Sequence, residues 1–399
     1  MLKLFQVGYQ KLAWLLSGIG LFLSVWIVIP APTSWLLPLG VGAPEITPIL
    51  LVGNLLVLLL SLPSSQRNWL SRVAVSCSLL GLLLSTIPLL QLPATVARTT
   101  AQMQAALGLD YMAQVPVKRQ AQMRPHPVVL EDVFTGIAES PVRHDTGIRF
   151  AAPNGVPLSL ELYRPLPVGR YPAIVTLYGG SWQRGTPIQD AVFNRYMAAR
   201  GYTVIAIDYR HAPSYRFPAQ LEDVQTALAF IREHAAEYEI DLKHIALLGR
   251  SAGAHLAMLA AYQSEALPIQ AVVSYYGPTD LVGGYADPPF PDPINVRAVL
   301  EAFLGDSLQE IPSLYQQASP LHHVTPGLPP TLLVYGSRDH IVEAKFGRSI
   351  YERLQAVGNV AVWLEIPWAE HAFDTIQRGL GNQLALYYTE RFLAWAFAK

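Results

Sequence analysis

The sequence predicts an α/β domain, with a mostly parallel sheet and helices on both faces, preceded by three transmembrane helices. Two observations carry this prediction. Long apolar runs are confined to residues 1–92, and short apolar strands alternate with helical stretches from residue 145 onward. Of the 399 residues, 51% are hydrophobic and 14% are charged, against about 25% charged in an average soluble domain. The 28 basic and 29 acidic side chains nearly cancel, which excludes nucleic-acid binding through bulk positive charge.

Residues 1–92 form the predicted transmembrane segment, because they hold three apolar runs and only five charged side chains. The predicted spans cover residues 12–29, 46–62 and 73–90, each near the lower length limit for crossing a hydrocarbon core of about 30 Å. Two alternatives stay open. The first run also fits a cleaved signal peptide, and all three runs also fit the buried core helices of a soluble protein.

Basic residues predict the orientation of this segment. Lys3 and Lys11 precede the first run, Arg67 and Arg72 lie between the second and third, and residues 30–45 contain neither Lys nor Arg. Since basic loops stay on the cytoplasmic side, the N-terminus is expected inside. Three spans then place the rest of an integral membrane protein on the non-cytoplasmic side.

Residues 93–144 are predicted to connect the membrane segment to the α/β domain. Residues 95–109 are rich in Ala and Gln and favour a helix, and prolines further along end it. We expect a spacer. The alternative is a segment that lies on the membrane surface as a partial lid.

Residues 145–399 carry the strand and helix pattern of an open parallel sheet. Short apolar runs bounded by turn residues are typical of buried parallel strands. The predicted strands cover residues 156–162, 173–177, 203–207, 245–248, 271–274, 331–334 and 360–364. Helical stretches cover residues 218–238, 344–356 and 382–397. In such sheets ligands bind at the carboxyl ends of the strands.

A candidate nucleophile follows one of these strands. The motif Gly249-Arg250-Ser251-Ala252-Gly253 lies between an apolar strand and a helix-forming stretch. This G-x-S-x-G pattern is typical of a sharp turn that exposes a serine hydroxyl, and small residues on both sides allow the turn. The sequence therefore predicts Ser251 as a catalytic nucleophile.

A serine nucleophile needs a base, and the base needs an acid that orients it. In this type of sheet the chain order is serine, acid, histidine. Asp339 follows a predicted strand end, and His371 lies in a loop before the last helix. We therefore predict a triad of Ser251, Asp339 and His371. Rival groups lie nearby in sequence: His322, His323, His340, Glu370 and Asp374.

Two glycines after another strand predict an oxyanion hole. The stretch is Tyr178-Gly179-Gly180-Ser181-Trp182, and glycines let backbone N–H groups approach a substrate closely. The predicted oxyanion hole is formed by Gly179, Gly180 and Ala252, with the N–H groups of Gly180 and Ala252 as donors. Trp182 either lines the acyl pocket or only packs in the core.

A Pro- and Gly-rich stretch over residues 282–312 lies where a cap over the site is expected. Asp280 lies just before this stretch, and Asp287 and Asp292 lie within it. We interpret them as solvated loop carboxylates and predict no metal site; a cation site is the alternative.

Several motifs together resemble the hormone-sensitive-lipase-like esterases and the feruloyl-esterase-like branch of the α/β-hydrolases. They are Asp-Tyr-Arg-His-Ala-Pro from Asp208, Gly-Gly-Ser-Trp from Gly179, Gly-Arg-Ser-Ala-Gly from Gly249 and Tyr-Gly-Pro-Thr-Asp from Tyr276. The resemblance covers residues 145–399 and implies an α/β-hydrolase fold with a serine triad. Many relatives have a histidine where this chain has Tyr178, and that histidine is thought to brace the oxyanion loop.

The expected function is that of a membrane-anchored serine hydrolase, similar to carboxylesterases and lipases, that cleaves carboxylic esters through an acyl-enzyme. Its substrate would be a small-molecule or lipid-like ester near the bilayer. The chemistry needs no metal or organic cofactor, and protein partners stay unassigned. The alternatives are an amidase or peptidase of the same fold, and a non-catalytic membrane protein with a hydrolase-like binding domain.

Overall fold

The computed structural model describes residues 2–62, 69–263 and 267–398. Four helices form the N-terminal part: α1 (Leu2–Val25), α2 (Leu37–Glu45), α3 (Thr47–Ser61) and α4 (Trp69–Leu107). Helices α1, α3 and α4 pack on one another. Between them the Asn54 amide donates to Ser24 Oγ over 3.0 Å, and Ser24 Oγ lies 3.3 Å from Ser85 Oγ. Such hydrogen bonds between helices hold a bundle together in apolar surroundings.

Within the described residues one helix, not three, is long and apolar enough to cross a membrane. This helix is α4, and a second candidate arises only if α2 and α3 count as one span with a bend of 81°. Helix α3 has 15 residues and is about 22 Å long, short of a hydrocarbon core of about 30 Å. The apolar part of α1, Lys11–Val25, is equally short. The prediction of three spanning helices is therefore wrong.

Helix α4 continues past the boundary predicted at residue 92, and its C-terminal half packs on the α/β domain. The Arg98 guanidinium donates to the Glu365 carbonyl over 3.0 Å, and Thr100 Oγ1 lies 2.9 Å from Tyr388 Oη. A 3₁₀ turn at Tyr111–Gln114 and the short helices α5 (Val117–Gln120) and α6 (Leu130–Thr135) follow. The buried Arg124 guanidinium then binds Gln383 of the domain over 2.7 Å. The segment expected to be a spacer is thus packed against the domain.

Eight strands form one sheet in the part of the chain that the structure describes. They are β1 (Arg143–Ala151), β2 (Leu158–Arg164), β3 (Tyr171–Leu177), β4 (Thr203–Ile207), β5 (Ile240–Arg250), β6 (Ile269–Tyr275), β7 (Thr331–Gly336) and β8 (Ala361–Ile366). Their order is β1-β2-β4-β3-β5-β6-β7-β8. Strand β2 is antiparallel to both its neighbours, and the other pairs are parallel, which confirms the mostly parallel sheet.

Helices cover both faces of this sheet. They are α7 (Ala191–Ala199), α8 (Ala219–Glu233), α9 (Ala252–Tyr262), α10 (Leu281–Ala286), α11 (Val296–Leu304), α12 (Pro312–Gln317), α13 (Ala344–Ala356) and α14 (Leu380–Ala396). Two consecutive residues of β6 show the two faces, since neighbouring side chains of a strand point in opposite directions. Ser274 faces one side of the sheet, where its Oγ and Met258 of α9 both lie next to Gly277. Tyr275 faces the other side, where its hydroxyl contacts Thr389 of α14 over 2.8 Å.

The strand register brings the four loops of interest to one edge of the sheet. Leu177, the last residue of β3, pairs with Gly249 of β5, so the loops that follow these two strands start side by side. Gly336, the last residue of β7, pairs with Ile366 of β8 in the same way. Since all four strands are parallel, the segments that follow them meet at their carboxyl ends.

Candidate active site

Ser251 occupies a sharp turn between β5 and α9. Its backbone has φ 50° and ψ −121°, a strained conformation for a residue with a side chain. A Cβ on Gly249 would lie 2.3 Å from the Gly253 carbonyl carbon, and a Cβ on Gly253 would lie 2.2 Å from the Leu177 carbonyl oxygen. Both glycines are therefore required by close backbone contacts, and the turn pushes the serine hydroxyl out of the sheet edge.

The structure brings the three predicted triad side chains together. His371 Nε2 lies 3.0 Å from Ser251 Oγ, and His371 Nδ1 lies 2.8 Å from Asp339 Oδ2. The other carboxylate oxygen of Asp339 accepts hydrogen bonds from the backbone N–H groups of Ile341 and Val342, over 2.8 and 2.7 Å. Backbone N–H groups of its own loop thus fix the Asp339 carboxylate in the orientation in which its second oxygen faces His371.

The electrostatics of the pair suit a histidine that accepts a proton. Burial lowers the pKa of His371, but the carboxylates of Asp339, Glu370 and Asp374 together raise it more, so that the net shift is above the ordinary histidine value. Burial also raises the pKa of Asp339, and the His371 charge opposes that shift. An imidazolium formed on His371 is therefore stabilised by a carboxylate sealed from solvent.

The rival groups engage other partners. Glu370 accepts hydrogen bonds from His340 Nδ1 over 2.6 Å and from the His340 backbone N–H over 2.7 Å. His323 Nε2 lies 2.8 Å from the Gln317 carbonyl. Glu370 also accepts the His371 backbone N–H over 3.0 Å, so it supports the loop of the candidate base without facing its ring.

A buried charge cluster behind His371 is absent from the sequence predictions. The Arg250 Nε donates to Asp374 Oδ2 over 2.5 Å, and Arg250 Nη1 lies 3.4 Å from Asp190 Oδ2. Tyr276 Oη donates to the other Asp374 oxygen, and the Tyr276 ring centroid lies 4.6 Å from that of His371. The cluster therefore packs one face of the candidate base. The clue to this cluster in the sequence was Arg250, because an arginine at a buried turn beside the candidate nucleophile requires an acidic partner.

The glycine loop after β3 lies directly against the candidate nucleophile. A Cβ on Gly179 would lie 3.0 Å from the Arg250 carbonyl oxygen and 3.2 Å from Ser251 Cβ. Gly180 has φ 144°, and a Cβ there would lie 2.0 Å from the Arg184 carbonyl oxygen. The loop is consequently close enough to Ser251 to present backbone N–H groups to a bound carbonyl oxygen, together with the first residue of α9, Ala252.

Tyr178 braces this loop through its side chain and its backbone. Its hydroxyl donates to Asp208 Oδ1 over 2.5 Å and lies 2.9 Å from His211 Nε2. Its ring stacks on Tyr209 with centroids 4.4 Å apart, and the Tyr209 hydroxyl donates to the Tyr178 carbonyl over 2.9 Å. The tyrosine thus supports the glycine loop from both its side chain and its backbone.

Trp182 is buried between the core and a small cavity beside Ser251. Its ring stacks on Phe303 with centroids 4.1 Å apart, and its indole N–H donates to His255 Nδ1 over 3.2 Å. Burial lowers the pKa of His255 to about 4, which keeps that ring neutral and able to accept this bond. Trp182 therefore packs in the core and also lines the cavity.

The three loop carboxylates have local partners. Asp280 accepts the Gly283 N–H over 2.9 Å and caps α10, and Asp292 accepts the N–H of Val296, also over 2.9 Å. Asp287 pairs with Lys345 Nζ over 2.6 Å. Among the described residues no group of three or more His, Cys, Asp or Glu side chains is arranged to hold a metal ion.

Comparisons with known proteins identify esterases as similar. Residues 160–354 match the family model described as BD-FAE. The chain is 34% identical over 235 residues to Esterase LipC of Mycobacterium tuberculosis, across 54% of this chain and 57% of that relative. It is 30% identical over 244 residues to the probable carboxylic ester hydrolase LipM of the same organism, across 58% of this chain and 56% of the relative.

A solved structure extends the similarity to three dimensions. Esterase 2 of Thermogutta terrifontis, phosphoramylated by tabun, matches with a TM-score of 0.52 and 25% identity, and the match covers 64% of this chain and 95% of that one. With the mostly parallel sheet, this likeness identifies the domain that follows the N-terminal helices as an α/β-hydrolase fold similar to esterases. The chain spans little more than half the length of the two curated relatives.

Proposed function

We propose that this chain hydrolyses carboxylic esters through an acyl-enzyme formed on Ser251. The observation that carries the proposal is the continuous hydrogen-bond chain from Ser251 Oγ through His371 to Asp339 beside the glycine loop. The similarity of the domain to named esterases supports ester bonds as the substrate over amide bonds.

The reaction follows from these positions. His371 Nε2 takes the hydroxyl proton as Ser251 Oγ attacks the ester carbonyl carbon, and Asp339 stabilises the imidazolium that forms. The backbone N–H groups of Gly180 and Ala252, with Gly179 beside them, hold the oxyanion. His371 then gives the proton to the departing alkoxide. A water molecule, deprotonated by the same histidine, attacks the acyl carbon and releases the acid and Ser251.

We also propose that the N-terminal bundle anchors the enzyme in a membrane. Helix α4 has the length and composition of a spanning helix, and large apolar side chains stand exposed on all three long helices of the bundle. Examples are Leu12 at 54%, Leu56 at 55% and Leu83 at 62% exposure. Apolar surface of this extent on a bundle is covered by lipid or by another protein. The low number of charged side chains in residues 1–92 favours lipid over another protein as the covering surface.

A fluorophosphonate probe tests the proposed nucleophile on the full chain in detergent. We expect rapid covalent labelling of the wild type and none of Ser251→Ala. The control is Ser349→Ala, because Ser349 is an exposed hydroxyl on α13 that bonds its own helix, and it should label like the wild type. Absence of labelling in a folded wild type would favour a non-catalytic binding domain. Faster cleavage of an anilide than of the matching phenyl ester would favour an amidase.

A further inference from the structure

We propose that the enzyme is specific for esters that join a short acyl group to a much larger alcohol. This inference rests on the proposed function, because it assigns the two sides of the ester to two cavities around Ser251. The cavities have volumes of about 530 Å³ and about 50 Å³. Ser251, Ser181, Ile294 and Ile341 line both, so the cavities meet at the candidate nucleophile.

The chemistry decides which cavity holds which half of the substrate. His371 must give its proton to the leaving oxygen, so the alcohol lies on the side of His371. His371 lines the large cavity, together with Tyr276, which packs on its ring. The small cavity is lined instead by Ala252 and Trp182. It therefore receives the acyl chain, on the side of the carbonyl away from the leaving group.

The volume of the small cavity limits the acyl chain. One water-sized group needs about 10–15 Å³ of such volume, so the cavity holds an acyl chain of about three to five carbons. Its lining is mostly apolar and includes Leu281, Leu300 and Phe346, although Thr279 and Asp280 also line it. Leu281 and Leu300 are buried, and Trp182 is held by its stack on Phe303. Packed side chains of this kind resist expansion, so a longer chain that enters the cavity meets the buried leucines at its inner side.

The large cavity suits a bulky alcohol with polar groups. Its volume falls within the range of about 300–1,000 Å³ that holds drug-sized ligands. Its wall combines apolar Leu37 and Ile137 with the polar side chains of Gln189 and Asn382. Leu37 belongs to α2, so the leaving group contacts the N-terminal bundle as well as the hydrolase domain. The roughly tenfold difference in volume between the two cavities predicts that the enzyme accepts esters of large alcohols but not esters of large acyl groups.

Two substrate series test the assignment on the full chain in detergent. One varies the acyl group of p-nitrophenyl esters from acetate through butyrate and octanoate to laurate, and the other compares phenyl acetate with naphthyl acetate, whose leaving groups have similar acidity. We expect kcat/KM to fall at least tenfold from butyrate to octanoate, since excess methylenes cost about 10–200-fold in a closed pocket. Across the acetates it should not fall as the alcohol grows.

Leu300→Ala, which enlarges the small cavity, should raise the octanoate-to-acetate ratio of kcat/KM at least tenfold. Leu304→Ala removes an equally buried leucine of the same helix outside that cavity and should leave the ratio unchanged. If Leu300→Ala does not fold, Val299→Ala at the same wall replaces it. A wild type that prefers octanoate or laurate, or a ratio that both leucine variants move alike, overturns the inference while ester hydrolysis stands. A folded chain that neither reacts with the fluorophosphonate probe nor cleaves any ester overturns the proposed function and this inference with it.

Discussion

The side-chain carboxyl group of Glu45, at the end of α2, accepts a hydrogen bond from the backbone N–H of Gly381 in the first turn of α14, over 2.6 Å. A Cβ on Gly379 would lie 2.3 Å from Glu45 Oε2, and a Cβ on Gly381 would lie 2.5 Å from Oε1. Glu45 is fully buried. The N-terminal helices and the hydrolase domain therefore share a sealed polar contact, and α14 begins shortly after the loop that carries His371.

Glu45→Ala should destabilise the whole chain. The substitution leaves the buried Gly381 N–H without its acceptor, which costs about 1–3 kcal/mol, whereas Glu45→Gln retains an acceptor oxygen and should lose less. Chemical unfolding in detergent measures both variants. Glu352→Ala, at an exposed site on α13, is the control. Equal stability of the Glu45→Ala and Glu352→Ala proteins would show that the contact contributes nothing.

Asp339→Asn should keep the fold and lose roughly 10⁴-fold in rate, because the amide favours the wrong tautomer of His371. Glu370→Gln should lose far less, since Glu370 binds His340 and the backbone of the loop. Hydrolysis of p-nitrophenyl acetate measures both. A larger loss in Glu370→Gln than in Asp339→Asn would mean that the acid has been assigned to the wrong carboxylate.

The rate should fall on the acid side with an apparent pKa above the ordinary histidine value of about 6.5. The reason is that burial lowers the pKa of His371, but Asp339, with smaller contributions from Glu370 and Asp374, raises it by more in total. Below this pKa the ring is protonated and cannot take the proton of Ser251. Measurement of kcat/KM from about pH 5 to 9 gives the apparent pKa of this acidic limb of the pH profile. Glu370→Gln should lower this apparent pKa, whereas Glu352→Gln should leave it unchanged. A wild-type apparent pKa below the ordinary histidine value would contradict the pairing of His371 with Asp339.

Tyr178→Phe should lower kcat about fivefold to tenfold, the worth of about one net hydrogen bond, because the hydroxyl that ties the glycine loop to Asp208 and His211 is lost. KM should change little, since the oxyanion forms only during the reaction. Tyr171→Phe removes an exposed hydroxyl that bonds Pro167 and serves as the control. If both variants keep the wild-type kcat, the loop does not depend on the tyrosine.

The sheet could be predicted where its strands are buried on both faces, because such strands are short apolar runs. Strand β4 is the clear case, since all five of its residues are buried. Strand β1 escaped the sequence analysis because it lies at the edge, where Phe150 is its only buried residue. Helix α4 was divided in two, at residue 92, because its apolar run ends near residue 90, although the helix itself continues to Leu107 with Pro88 and Pro93 inside it.

The three triad candidates could be named because each lies within a few residues of a strand end. The supporting contacts could not, because they join distant parts of the chain that no local pattern relates. Arg250 and Asp374 are 124 residues apart, and Glu45 and Gly381 are 336 residues apart. Only the order of β5, β6, β7 and β8 in the sheet, and the packing of α2 on α14, bring such pairs together.

The hydrolase domain should face the non-cytoplasmic side of the membrane. Arg72 lies near the start of α4, and Arg98 further along the same helix already contacts the domain. The 26 residues between them measure about 39 Å as a helix, enough to cross a hydrocarbon core of about 30 Å. In the sequence, Lys3, Lys11 and Arg67 also precede α4, and basic segments that flank a spanning helix stay in the cytoplasm.

A single-cysteine experiment in bacterial spheroplasts checks this orientation. With Cys77→Ser as the background, Val168→Cys places a thiol on the domain at a site 82% exposed, and Trp69→Cys places one at the opposite end of α4, 69% exposed. A membrane-impermeant maleimide should label the first thiol in intact spheroplasts and the second only after lysis. The Cys77→Ser protein without an added cysteine is the unlabelled control. The reverse pattern would place the domain in the cytoplasm. Labelling of both thiols before lysis would mean that α4 does not cross the membrane, and that the bundle is instead covered by another protein or lies along the bilayer surface.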